Sequence, residues 1–311
     1  MKRVLTVTVF MTLALMIFTG CFIFFEPDGP SENTPEAVII GGETEEPQNS
    51  EEAGIATPEG GDIPTEEPFE STTEEPSPTK EQPTEEQPLK GLVIGIDPGH
   101  QAVGNFEKEP CAPWGPDKNA TVNNEVMKTK TSSGTEGRFS KKEEYVLTLE
   151  ISLKIRDKLE KLGAKVVMTR ETHDVNLSNI DRAVIGNEAG CDMMLRIHAN
   201  GIDNESVNGV ETWVRGRGDG SEEYIALGEY EKKLSEELLD CFVRATGAKR
   251  RYANTSDNYT GLNWSTVPSI ILECGFMSNE IEDLNMSKPE YQEKIAEAVA
   301  EWLKTSSVLK R

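Results

Sequence analysis

The sequence predicts an α/β protein: a single domain with a mostly parallel, twisted sheet flanked by helices, preceded by a disordered tether. Two observations carry that expectation. From residue 90 onward, short apolar runs alternate with stretches of helical periodicity, the pattern of a sheet assembled from strand–helix units. Before residue 90 the chain is crowded with Pro, Thr and Glu and holds too few apolar residues to bury a core.

The chain begins Met1-Lys2-Arg3, and Val4 to Phe18 is apolar and uncharged. A basic start, an apolar stretch of this length and the small residues of Phe18-Thr19-Gly20-Cys21 describe a secretory signal. The cysteine at the cut resembles a bacterial lipoprotein signal, with Cys21 as the lipidated residue. Cys21-Phe-Ile-Phe-Phe25 prolongs the apolar run, so an uncleaved membrane helix is the alternative. Either way residues 1–25 anchor the protein to the outer face of the cell membrane.

Residues 26–89 carry 19 Asp and Glu against the single Lys80, and 11 of the 17 prolines. Thr-Glu-Glu-Pro recurs at Thr44, Thr65 and Thr73. Such a segment repels itself and stays extended as a linker. It also accounts for most of the formal net charge of −23, leaving −7 for residues 90–311. A mildly acidic domain lacks the basic face that nucleic acid requires.

Within the domain, Gly91 to Asp97 reads as a strand. Glu144 to Leu162 is the clearest helix, with Leu147, Ile151, Ile155, Leu159 and Leu162 on one stripe and Gly163 as its stop. Lys165 to Thr169 is a strand, Ser178 to Ala189 a helix capped by Ser178, and Cys191 to Ile197 a strand. Gly209 to Arg215 alternates like an edge strand. Glu222 to Ala245 is a long helix ending near Gly247, Val267 to Leu272 a strand, and Pro289 to Lys304 a final amphipathic helix. Residues 101–143 have no apolar period and several Pro and Gly, and read as an irregular insertion. Cys111, Cys191, Cys241 and Cys274 show no paired spacing, so neither a cysteine metal site nor a disulfide is expected. Cys191 and Cys274 read as core, Cys111 as an exposed loop residue.

Of three histidines, His100 and His198 each end an apolar strand, where open α/β sheets place their ligands. A third apolar run delivers Glu273. Two imidazoles and carboxylates at one sheet edge suggest a zinc hydrolase, with a third ligand to be found. The start of the helix after the insertion supplies it, from Glu143 or Glu144. His173 reads as a surface loop residue. Arg170 and Arg182 read either as grips for substrate carboxylates or, the favoured reading, as structural partners of Asp174 and Asp181, and Trp213, Tyr259 and Trp264 as either sugar-stacking or packing groups.

The ordered motifs resemble those of the zinc-dependent N-acetylmuramoyl-L-alanine amidases of bacterial cell-wall turnover. They are Asp97-Pro-Gly-His100, Glu144 to Leu149, Thr169-Arg170, Arg182 to Asn187, His198-Ala-Asn200 and Pro268 to Asn279. The resemblance implies one Zn²⁺ held by His100, Glu144 and His198, with Glu273 as the catalytic residue and peptidoglycan as substrate. It implies cleavage of the amide between N-acetylmuramic acid and L-alanine. A carboxypeptidase-like cut within the stem peptide, or an inactive wall-binding lipoprotein, are the alternatives. The 43 residues between His100 and Glu144 exceed the short link of many relatives, and the insertion is expected to flank the site and govern substrate entry.

Overall fold

The computed structural model describes residues 87–117 and 120–306. The expectations for residues 1–25, for Cys21 and for nearly all of the acidic linker lie outside these residues. Among the described residues, no helix is long and apolar enough to cross a membrane.

The order of elements is β1 (Val93–Pro98), β2 (Asn105–Pro110), β3 (Met127–Thr131), α1 (Glu144–Lys161), β4 (Lys165–Met168), α2 (Asn179–Glu188) and β5 (Met193–Asn200). Then follow β6 (Val210–Arg215), α3 (Glu222–Thr246), β7 (Arg250–Ser256), α4 (Thr260–Asn263), β8 (Ser269–Phe276), α5 (Glu280–Met286) and α6 (Pro289–Thr305). One six-stranded sheet runs β4-β1-β5-β8-β6-β7. β4, β1, β5 and β8 are mutually parallel, β6 is antiparallel to β8, and β7 is parallel to β6. The reversal has a simple origin. To run parallel to β5, and so to β8 between them, β6 would need a return crossover of a dozen or more residues, and the loop from Asn200 to Val210 is too short to provide one.

Side-chain alternation along the strands gives the two faces different jobs. Ile94 and Ile96 of β1, Leu195 and Ile197 of β5, and Ile270 and Leu272 of β8 enter one continuous core. There they meet Leu147, Ile151 and Ile155 of α1, Leu238 and Phe242 of α3, and Val299 and Trp302 of α6. The intervening residues, Asp97, Arg196, His198 and Glu273, point to the other face, where α2, α4 and the insertion lie. An apolar face thus fixes the sheet, and a polar face is left for chemistry.

Helix limits follow local signals. Ser178 caps α2 in a reciprocal box with Asp181, and Gly247 ends α3 in the left-handed conformation. Three expectations need correction. The strand from Gly209 is not an edge, because β7 covers it and supplies the edge itself. The 101–143 segment is not irregular throughout, since β2 and β3 pair into an antiparallel ribbon. The domain starts before residue 90: Leu89 is wholly buried in the core and its N–H donates to Leu162 O at 3.0 Å.

Candidate functional site

β1, β5 and β8 are adjacent and parallel, so their carboxyl ends deliver His100, His198 and Glu273 to one edge. His198 and Glu273 are register partners. Glu144, the first residue of α1, completes the group, while Glu143 is the helix N-cap and bridges Glu136. Ligand atoms of His100, Glu144 and His198 lie within 4.8 Å of one another. Glu144 Oε1 is 3.1 Å from His100 Nε2 and 3.3 Å from His198 Nδ1. The imidazoles meet edge to face at 4.9 Å.

The surroundings orient these groups. His100 Nδ1 is 3.1 Å from Ser132 O, a contact that places the ring proton on Nδ1 and leaves Nε2 as an electron-pair donor. Glu144 accepts from Thr135 N at 3.0 Å and from Ala199 N at 3.2 Å. Ser132 and Thr135 belong to the insertion, so the insertion builds the wall behind the cluster. Two glycines are required by close approach. A Cβ on Gly99 would stand 2.5 Å from the His198 ring, and one on Gly134 would stand 2.6 Å from the Glu144 carboxylate. His100 itself is held at a φ of 62°, a strained value for a non-glycine residue that persists only where neighbours enforce it.

Those neighbours are buried arginines. Arg182 donates to Pro98 O and His100 O, both at 2.8 Å, and pairs with Asp97 Oδ1 at 2.8 Å. Arg170 donates to Pro98 O at 3.0 Å and Gly99 O at 2.9 Å. Arg196 pairs with Asp97 Oδ2 at 2.7 Å. Arg170 and Arg182 are therefore structural, but their partners are Asp97 and the loop carbonyls rather than Asp174 and Asp181. Asp181 is committed to the Ser178 cap.

His173 is half-buried and stacks edge to face on Tyr145 at 5.3 Å, so it is a packing residue rather than a surface one. Cys111 is buried with Ala112 and Val122, correcting the exposed reading. All four cysteines among the described residues are free. Trp264 donates to Pro110 O at 3.0 Å and ties down the insertion. Trp213 packs on Tyr259 at 5.5 Å, and Tyr259 lines the cavity. Sequence reasoning missed Glu211 and Arg196, the first on the neighbouring β6 beside Glu273 and the second behind the site.

The electrostatics call for a cation. Burial works against the Glu144 carboxylate, but the His100 and His198 imidazoles outweigh it and hold its pKa below the ordinary carboxylate range. Glu273 moves the other way: burial first, then the nearby Glu144 and Glu211, push it well above that range. Glu211 is satisfied by Asn200 and Arg251. Glu273 is not, because its Oε2 is buried with no hydrogen-bond partner. Two imidazoles, one carboxylate and a second, unpaired carboxylate beside them fit a divalent metal, whose charge would reverse that repulsion. A cavity of about 690 Å³ opens over the cluster and Glu273, lined also by Tyr259 and the insertion.

Residues 94–305 match the family described as N-acetylmuramoyl-L-alanine amidase. The chain is 26% identical to the germination-specific N-acetylmuramoyl-L-alanine amidase of Bacillus subtilis (strain 168), over 68% of this chain and 78% of that protein. Among solved structures, it is similar to an N-acetylmuramoyl-L-alanine amidase from Clostridium difficile 630, with a TM-score of 0.52 and 26% identity. That match covers 68% of this chain and 94% of the other. The amidase Ami1 from Mycobacterium smegmatis shares the fold, with a TM-score of 0.58 at 22% identity over 70% of this chain and 99% of its own.

Proposed function

The chain belongs to the N-acetylmuramoyl-L-alanine amidase family, and on that premise we propose that it is a zinc-dependent peptidoglycan hydrolase. The bond cut is the amide between N-acetylmuramic acid and the L-alanine of the stem peptide. One observation carries this reading: His100, Glu144 and His198 converge in a cavity that Glu273 also lines.

His100, Glu144 and His198 would hold one Zn²⁺ per chain. When bound, zinc supplies Lewis acidity, polarising the amide carbonyl and lowering the pKa of water. Glu273 takes the proton of the attacking water on its carboxylate and hands it to the departing L-alanine nitrogen. Its unpaired Oε2 suits that role, since no competing donor must be displaced. Ser132 keeps the His100 proton on Nδ1, and Thr135 and Ala199 hold Glu144 in its orientation. Arg170 and Arg182 fix the Pro98–His100 backbone against which the imidazoles are set.

Peptidoglycan lies outside the cytoplasm, which agrees with a signal at residues 1–25. The sequence around Cys21 supports lipid anchoring to the outer face of the membrane, with residues 26–86 as the tether that gives the domain reach.

Digesting purified muropeptides and weighing the products tests the bond assignment. The glycan portion with its lactyl carboxylate freed and an intact stem with an L-alanine amino terminus are expected. A shortened stem still attached to the sugar is the carboxypeptidase outcome, and no product from a zinc-loaded protein is the outcome of an inactive binder. Metal analysis should give about one zinc per chain, and His198→Ala should lose most of it.

A further inference from the structure

Among the described residues that line the cavity over the His100–Glu144–His198 cluster, two carry fixed positive charges, Arg196 and Lys128. Arg196 is occupied, paired with Asp97. Lys128 is different. It stands on β3, opposite Glu109 of β2 in the ribbon register, yet Glu109 is committed elsewhere. The Glu109 carboxylate accepts from Asn179 N at 3.1 Å and Ile180 N at 3.4 Å at the start of α2. Other lysines of the ribbon are engaged: Lys130 with Glu107 and Lys108 with Thr129. Lys128 alone among the ribbon's lysines reaches the cavity without a carboxylate partner, and Asn179 and Asn258 line the same cavity.

With a divalent metal offsetting Glu144 and Glu273, half-buried Lys128 is a cation left to receive a carboxylate. The stem peptide continues past L-alanine with an acidic residue whose α-carboxylate is free in some walls and amidated in others. We propose that Lys128 binds this carboxylate, so that the insertion makes the enzyme selective for non-amidated stems. The inference rests on the amidase reading and deepens it, assigning to the insertion a chemical preference in addition to a place beside the site.

The test uses the full-length, zinc-loaded protein and two matched muramoyl dipeptides, one ending in D-glutamate with a free α-carboxylate and one with that group amidated. Wild type should show a KM about tenfold lower for the acid form, as for one charge-assisted hydrogen bond. Lys128→Gln should bring the ratio near unity, while Lys128→Arg, which keeps the charge, should retain most of it. Equal KM values in wild type, or an unchanged ratio in Lys128→Gln, overturns the assignment and leaves the amidase reading standing. Failure of wild type to cleave either dipeptide or intact peptidoglycan removes the amidase reading, and the inference with it.

Discussion

Asp97 is 1% exposed and bonded to Arg182, Arg196 and the Thr169 hydroxyl. Burial raises its pKa, but the two guanidinium groups outweigh burial and bring it from 3.8 to about 2. The folded value is below the unfolded one, so the stabilisation is complete above about pH 4 and disappears as pH falls through about 2. Asp97→Asn is expected to cost about 3 kcal/mol at neutral pH by leaving buried arginines uncompensated. The gap between its urea midpoint and that of wild type should narrow from pH 5 to pH 2. A gap that stays constant would assign the loss to packing instead. Glu273→Gln keeps the shape of the side chain and removes its basicity. Activity should fall by roughly 10²–10⁴ with zinc content near wild type. Loss of zinc as well would make Glu273 a ligand.

At the scale of elements, what the sequence disclosed was whatever carries an apolar period. Ile151, Ile155 and Leu159 announced α1, and the runs ending at His100, His198 and Glu273 announced β1, β5 and β8 together with the side chains that meet at the site. β7 was silent because Arg250-Arg-Tyr-Ala-Asn-Thr-Ser256 is a polar edge strand with little to bury. The ribbon was silent for the same reason, since Asn105-Phe-Glu-Lys-Glu-Pro110 and Met127-Lys-Thr-Lys-Thr131 pair mainly through backbone and charge. The arginine partners could not be read either, because they are backbone carbonyls and an aspartate more than 70 residues away in sequence. The structure also sharpens the test of the insertion. Ser132 to Thr135 must be kept, because they orient His100 and Glu144. Replacing residues 104–130 with a short glycine linker should preserve zinc and change the ratio of activity on intact sacculi to that on small muropeptides. An unchanged ratio in a folded variant would leave the ribbon no part in access.

For the whole molecule, Leu89 sets where the folded unit begins. A protein starting at Gly91 loses a fully buried leucine that one starting at Gln87 retains. The shorter form should be less stable by about 2–3 kcal/mol, readable as a lower unfolding midpoint with unchanged zinc content. Equal midpoints would place Leu89 outside the cooperative unit. The acidic segment before it should leave that midpoint untouched.

Because Arg170 and Arg182 already hold the Pro98–His100 carbonyls, an ion entering the site meets ligands that need no ordering. Small zinc domains fold around their metal and collapse when it is stripped; here the scaffold stands on its own apolar core. On the zinc reading proposed above, the site should therefore empty and refill without unfolding the chain. Chelation should abolish turnover while circular dichroism stays that of the native protein, and returning zinc should restore activity at the pace of ion association, with no refolding lag.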